Sequence, residues 1–332
     1  MKFLIVQTAF IGDVILATPI GEKLHRRYPD ARIDFLVRRG NEGLFAGHPF
    51  VHRVWVWDKK RDKYSKLWQL ILQIRQERYD CVINCQRFAA SGLLTVLSGA
   101  PHTVGFAKNP LSRLFSRRVA HVINQPGAPV HEVMRNLSLI EHLTDGSFQP
   151  PRLYPTEADV REALTVAPSD KPWVCIAPTS VWFTKQLPAH KWLGLIRRMP
   201  KQYAILLLGG PADVAACEAI ARQAAFADVR NAAGRLSLLA SAALMQRAAM
   251  NYVNDSAPLH LASAVNAPVT AVFCSTVPSF GFGPLSDVHY VVEVSQKLPC
   301  RPCGLHGKKA CPEGHFSCAE GIDVASFPLP AG

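Results

Sequence analysis

The feature that most constrains this chain is an alternation of short apolar runs with amphipathic stretches, and the alternation occurs twice. In the first half, residues 2–8, 32–37, 51–57, 80–85 and 103–106 read as strands. Helical patterns fall between them at 14–28, 64–78 and 89–97; in the second of these Leu67, Leu70, Ile71 and Ile74 share one face. Such alternation implies parallel strands covered by helices on both faces. Residues 108–129 are Pro-containing, basic and aperiodic, and read as an extended surface loop, with a helix expected over 131–144. The run Asp145-Gly146-Ser147-Phe148-Gln149-Pro150-Pro151 has the punctuation of a linker. A second alternation follows, with strands at 173–177, 203–208, 250–253 and 269–273 and helices at 189–199, 212–224, 237–247 and 258–265. The fold class is therefore α/β: two doubly wound parallel-sheet domains in tandem, 1–150 and 151–332. In open parallel sheets ligands bind beyond the carboxyl ends of the strands, so the loops after strands are where chemistry is sought.

A length of 332 residues suits two domains, and 48% apolar with 19% charged residues suits a soluble chain with large cores. No stretch reaches the roughly 18 apolar residues of a membrane span. The apolar start runs into Asp13 rather than a cleavage site, so it reads as a buried strand of a cytoplasmic protein. The net charge of +12 is uneven: up to Asp159 there are 22 Lys and Arg against 14 Asp and Glu. A basic surface attracts polyanions, whether nucleic acid, anionic headgroups or a phosphorylated glycolipid. Arg38-Arg39 and Lys59-Lys60-Arg61, just after the second and third strands, are the candidate acceptor contacts, set against an ordinary solvated basic face.

Three strand ends carry candidate chemistry. After the first strand comes Ile11-Gly12-Asp13-Val14-Ile15, where Asp13 is either a first-turn carboxylate or a general base, with Gly12 allowing close approach of a ligand. The G-x-G-x-x-G dinucleotide fingerprint is missing there, which disfavours a nicotinamide enzyme. After the strand at 173–177, Thr179, Ser180 and Lys185 form either a plain polar loop or a phosphate cradle. Asn254-Asp255-Ser256-Ala257-Pro258-Leu259-His260 opens a helix, and Asp255 or Ser256 either caps it or leaves its N–H groups to a diphosphate. His260 either faces a ligand or packs in the core.

These pieces, with Leu207-Leu208-Gly209-Gly210-Pro211, resemble glycosyltransferase family 9, which includes the ADP-heptose:lipopolysaccharide heptosyltransferases. The resemblance runs over nearly the whole chain. It implies a GT-B fold, two Rossmann-like domains facing across a cleft, and inverting transfer with Asp13 as base. It places Thr179, Ser180 and Lys185 at the donor diphosphate, and Asp255, Ser256, Ala257 and His260 around the donor's phosphates and sugar. Leu236 matches a contact to the base; Gly210 and Asp213 match the region of the ribose. Ala257 stands where Gly is common, and Leu187 where many members have Trp. The implied partners are a nucleotide-sugar donor, ADP-heptose foremost, and an anionic glycolipid acceptor at the inner membrane surface; transfer of another sugar from another nucleotide is the alternative. No Asp-x-Asp occurs, so no cofactor is expected in catalysis and Lys185 would meet the diphosphate charge instead.

Near the C-terminus, over 300–318, Cys300-Arg301-Pro302-Cys303 is followed by Cys311 and Cys318. This spacing suits a tetrahedral structural zinc site, against the alternative of a reduced, hydrogen-bonded loop near the acceptor cleft. The segment lies apart from the donor loops in sequence, so chelating a metal held there is expected to loosen the tail without abolishing donor binding. A zinc-containing nucleic-acid-binding protein is the rival from another class; it lacks an aromatic-plus-basic RNA signature, and no nucleic-acid partner is expected.

Overall fold

The computed structural model describes residues 1–59, 63–123, 130–226 and 228–330. The chain divides into two compact units, Met1–Tyr154 and Pro155–Gly332.

In the first unit the strands are β1 (Lys2–Val6), β2 (Arg32–Arg38), β3 (Val51–Trp57), β4 (Cys81–Asn84), β5 (His102–Phe106) and β6 (Arg117–Val119). The helices are α1 (Ile11–Ile15), α2 (Thr18–Arg27), α3 (Lys63–Glu77), α4 (Ala89–Leu97) and α5 (Glu132–Ser138). The sheet order is β3-β2-β1-β4-β5-β6, all parallel. β1 and β4 are buried almost throughout because helices cover both faces, which is why Phe3-Leu4-Ile5-Val6 and Cys81-Val82-Ile83 read as apolar runs. Leu67, Leu70, Ile71 and Ile74 of α3 pack with Leu4, Val6, Val82 and Leu94 in the core. The stretch expected as one helix over 14–28 is two, because the chain breaks at Leu16-Ala17 and restarts with Pro19 in the first turn of α2. The expected loop at 108–129 contains β6, a three-residue edge strand too short and too exposed to show an apolar pattern. The expected linker is a bonded strap: the buried Lys23 ammonium holds Asp145, Arg26 Nη2 donates to Gln149 (2.7 Å), and Tyr154 Oη donates to Glu22 (2.9 Å). These bonds to α2 carry the first unit as far as Tyr154.

In the second unit α6 (Glu157–Leu164) precedes β7 (Trp173–Ala177), α7 (Ala189–Arg198), β8 (Ala204–Leu207), α8 (Val214–Gln223) and β9 (Val229–Asn231). Then come α9 (Leu238–Gln246), β10 (Asn251–Asn254), α10 (Ala257–Ala264), β11 (Val269–Phe273), β12 (His289–Glu293) and the short α11 (Ser317–Glu320). The order β12-β11-β10-β7-β8-β9, again parallel, repeats the connectivity of the first sheet. α7 buries Trp192, Leu193, Leu195 and Ile196 against this sheet and leaves Arg197 and Arg198 in its last turn, where cations suit the helix dipole. In each sheet the strand order reverses at one place, between β1 and β4 and between β7 and β10. At such a reversal the following loops part to opposite faces and open a crevice for a ligand.

Candidate active site

At the reversal in the second sheet, the loops after β7 and β10 are fastened together. Asn254, the last residue of β10, is fully buried; its Nδ2 donates to the Pro178 carbonyl (2.9 Å) and its Oδ1 accepts from the Leu187 N–H (2.9 Å). Leu187 drops into the core beside Trp192, an anchoring role that its position before Pro188 allows. The two clamped loops bring Lys185 Nζ to 2.7 Å from Asp255 Oδ2. The side chains keep 14% and 5% of their surface exposed. Thr276, beyond the end of β11, donates its hydroxyl to the same Oδ2 at 2.6 Å.

Asp255 is thus committed to Lys185 and Thr276, and it does not cap α10. Ser256 is the N-cap residue in extended backbone, yet its side chain makes no capping bond; its hydroxyl points back to the Asn254 carbonyl at 3.4 Å. The helix therefore starts without a side-chain cap, with Pro258 in its first turn and its dipole directed at the Lys185–Asp255 pair's loop. Thr179 and Ser180 are half-buried on the neighbouring loop, whose shape is kept by Gln186 Nε2 donating to the Ser180 carbonyl (2.7 Å). His260 is buried, its ring edge-on to Phe282. Ala257 lies half-buried at the first helical position.

The remaining donor candidates sit elsewhere in the unit. Asp213 Oδ2 accepts from the Gly210 N–H (2.8 Å), closing its own tight turn, and a Cβ at Gly209 would collide with Asp213 Cβ at 2.6 Å. Leu236 is half-buried beside Ser237, whose N–H and hydroxyl donate to Glu162.

The cysteine segment, distant from the donor loop in sequence, is bonded to it in the fold. Lys308 N–H donates to Thr184 Oγ1 (2.7 Å), Thr184 N–H donates to the Lys308 carbonyl (3.1 Å), and Cys303 N–H donates to the Ser275 carbonyl (2.8 Å). Gly307, at φ +74°, lies so close that a Cβ would stand 3.0 Å from Lys185 Cγ. Arg301 pins the segment to the end of β11, donating to the carbonyls of Cys274 (2.7 Å) and Thr276 (2.8 Å) and pairing with Glu293 (2.6 Å). Thr184, Ser275, Thr276, Arg301 and Gly307 escaped the sequence reading. Only the Ser275-Thr276 pair, two hydroxyls just beyond a strand end, offered a signal. The four tail cysteines are reduced; burial, then neighbouring thiols, push Cys303 up and Cys318 up to about 11. They are electrostatic neighbours, but among the described residues no three His, Cys, Asp or Glu side chains converge as metal ligands.

In the first unit the corresponding reversal places Asp13 in the first turn of α1, half-buried, with Oδ2 accepting from the Phe10 N–H (3.1 Å). The bland reading of this carboxylate is therefore realised locally. The loop before it is held from three sides. Gln86, after β4, bonds Gln7; Asn41 Nδ2 donates to the Ala9 carbonyl (3.0 Å); Lys59 Nζ donates to Thr8 at its carbonyl (2.8 Å) and Oγ1 (2.9 Å). Gly12 is buried. Arg38 lies over the Phe10 ring at 4.7 Å, and Arg39 pairs with Asp58 at 3.1 Å. Lys60 and Arg61 fall outside the described residues. A cavity of about 610 Å³ opens here, lined by Thr8, Trp57 and Lys59 with Tyr64, Phe88 and Leu93 among its apolar walls.

Residues 67–313 match the family description glycosyltransferase family 9 (heptosyltransferase). Lipopolysaccharide heptosyltransferase 1 of Pseudomonas aeruginosa is 29% identical over 94% of this chain and 87% of its own length. Two solved structures share the fold. The ADP-heptose lipopolysaccharide heptosyltransferase II of Escherichia coli has a TM-score of 0.76 at 23% identity, covering 91% of this chain and 96% of that one. An E. coli heptosyltransferase solved with ADP-2-deoxy-2-fluoro heptose has a TM-score of 0.68 at 22% identity, covering 90% and 94%.

Proposed function

This chain belongs to glycosyltransferase family 9 and has its GT-B fold, and from that premise we propose that it transfers heptose from ADP-heptose to an anionic lipopolysaccharide-core acceptor, in the cytoplasm and with inversion at the anomeric carbon. The observation that carries the reading is the clamped loop pair of the second unit. A mostly buried ammonium, steadied by a carboxylate and a hydroxyl, stands beside a helix start that has no side-chain cap. Fixed cationic charge and oriented backbone dipoles are what a departing diphosphate needs, and they require no reorganisation as its charge develops.

In the proposed displacement the acceptor hydroxyl oxygen attacks the anomeric carbon while Asp13 takes its proton. The bond from that carbon to the diphosphate oxygen breaks, and ADP leaves with the electron pair. Lys185 and the N–H groups at the start of α10 meet the charge, with Thr179 and Ser180 as neutral donors. Asp255, bonded to Lys185 and Thr276, is a positioning residue: it fixes where the ammonium stands. The cavity at Thr8 and Lys59 is proposed to receive the acceptor, with Arg38 and Arg39 at the end of β2 facing its negative groups. Structural zinc at Cys300, Cys303, Cys311 and Cys318 is proposed on their spacing and mutual proximity; the thiols would have to close up around it, and no step of transfer depends on it.

A thermal-shift panel of ADP, UDP, GDP and CMP tests the donor assignment. ADP at a hundredfold over its Kd should stabilise the protein by about 2.7 kcal/mol, with the others well below. A larger shift with UDP and none with ADP would overturn it.

A further inference from the structure

The cysteines of this chain are of two kinds. Cys81, Cys85, Cys175, Cys217 and Cys274 are buried, and exclusion of water pushes their thiols up, Cys81 and Cys217 to about 12. Thiols so placed are inert. Cys300, Cys303 and Cys311 are half-buried, on a stretch whose Pro302, Gly304, Lys308, Lys309 and Pro312 are exposed. Reaction with a soluble oxidant is therefore confined to the tail. Within it Cys300 and Cys303 are the nearest pair in sequence, and the Cys303 thiol turns back onto the Cys300 carbonyl at 3.2 Å.

Two series of hydrogen bonds run from this pair to the Lys185 ammonium. Arg301, between the two thiols, donates to the carbonyls of Phe273 (3.1 Å), Cys274 (2.7 Å) and Thr276 (2.8 Å). The Thr276 hydroxyl holds Asp255 at 2.6 Å, and Asp255 holds Lys185 at 2.7 Å. The second series starts at the Cys303 N–H, which donates to the Ser275 carbonyl (2.8 Å). Ser275 bonds Thr184 through its own N–H (3.2 Å) and hydroxyl (3.0 Å), and Thr184, fully buried, directly precedes Lys185. A plain tether for the C-terminal segment could bond the sheet anywhere along its edge. These bonds instead meet on both neighbours of one ammonium. A disulfide between Cys300 and Cys303 cannot leave them as they are. The Cys303 sulfur must quit the Cys300 carbonyl, and closing so small a ring re-forms the backbone that carries the Arg301 grip and the Cys303 N–H.

We propose that Cys300 and Cys303 are a thiol–disulfide switch, set by exchange with a small disulfide such as oxidised glutathione, and that its oxidised state weakens donor binding at Lys185. In the exchange the thiolate of one cysteine attacks a sulfur of the small disulfide; a new S–S bond forms, the old one breaks, and one thiolate leaves. The second cysteine, as thiolate, then displaces the other small thiolate. Two protein thiols give up two protons and two electrons, and one small disulfide becomes two thiols; excess small thiol reverses both steps. Disulfides in the cytosol are mostly of this transient, sensing kind. The two redox states supply the two arrangements that coupling through a bonded network requires. A metal on the four thiols would lose two ligands at the same step. The proposal rests on the donor reading of Lys185 and adds a control to it.

Calorimetric titration of the full chain with ADP, first reduced and then equilibrated with oxidised glutathione, tests it. The oxidised protein should bind ADP about tenfold more weakly, within the usual range for coupled sites. Coupling of this kind is reciprocal. At fixed reduced glutathione, ADP saturating both forms should therefore raise by the same roughly tenfold the oxidised glutathione needed to oxidise half of the protein. Mass spectrometry of the tryptic peptide 298–308, which carries both cysteines, should show the loss of two hydrogens and no glutathione adduct. C300S/C303S should lose the response to oxidant, whatever its own affinity for ADP. Equal ADP affinity in the two states, a disulfide at other cysteines, or a C300S/C303S variant that still responds would overturn the switch. Failure of the reduced wild type to bind ADP at all would overturn the donor reading and the switch together.

Discussion

Removing the Lys185 ammonium strands a carboxylate. Asp255 is 5% exposed and would keep only the Thr276 hydroxyl at 2.6 Å. Taking one partner from a buried ion pair costs about 3–5 kcal/mol, chiefly because the remaining charge has neither water nor partner. Lys185 keeps 14% of its side chain exposed, so water can enter where its end was, and the lower figure of about 3 kcal/mol applies. For a folding unit the size of Pro155–Gly332 that is a fall in Tm of roughly 6–12 °C. Lys185→Ala should show this fall. Asp255→Asn should show a smaller one, since the ammonium has a path to solvent. The double variant should sit well above the sum of the two, with a coupling of about 2 kcal/mol. Thermal denaturation followed by circular dichroism measures all three. ADP affinity, measured alongside, should drop in Lys185→Ala, while affinity for adenosine drops less. Additive shifts, or a Lys185→Ala variant as stable as wild type, would refute both the pairing and the role given to Asp255.

Gly307→Ala should weaken ADP binding although the residue is distant in sequence from the donor loop, because its Cβ would press on Lys185 and Thr184, and the left-handed backbone adds about 1 kcal/mol of strain; unchanged ADP affinity would remove the proposed bracing by the cysteine segment. Transfer should persist in excess EDTA, and metal analysis of protein prepared without chelator should give about one zinc per chain if the four thiols close on it; activity lost in EDTA and restored by magnesium would overturn the charge assignment to Lys185. Burial, and then the nearby His25, hold His48 down at about 4, and its ring accepts the Val51 N–H. Below pH 6.5 the unfolded chain binds a proton that the folded chain refuses, so stability should fall as pH drops from 6.5 and level off below about 4; urea unfolding of His48→Asn should lose that slope.

The central strands were legible because both faces of each sheet are covered, which makes the interiors of β1, β4 and β7 apolar runs; β10 keeps only Tyr252-Val253 between two buried asparagines. The edges were not. β6 and β9 have three residues each, and β12, His289–Glu293, buries only Val292, so neither length nor alternation marks them. Lys185 and Asp255 could each be picked out as polar residues at strand ends, but their 2.7 Å pairing comes from the strand order, which sets β7 beside β10 across seventy residues of sequence. The contact of Gly307 and Lys308 with Thr184 is tertiary in the same way and left no local mark. Asp13 shows the opposite case: its capping bond to Phe10 was readable as a bland alternative, and that bond neither requires nor excludes catalysis.

Transfer with Asp13 as the base is put to the test by one assay. Wild type and Asp13→Asn are incubated with ADP-heptose and a Kdo-bearing lipid A acceptor, and the acceptor is weighed by mass spectrometry over time. The wild type should add one heptose and release ADP. Asp13→Asn should bind ADP as before and be slowed by at least about a hundredfold, the contribution of a positioned base. Transfer by Asp13→Asn at the wild-type rate, or heptose left untouched by the wild type while another nucleotide sugar is consumed, would contradict it.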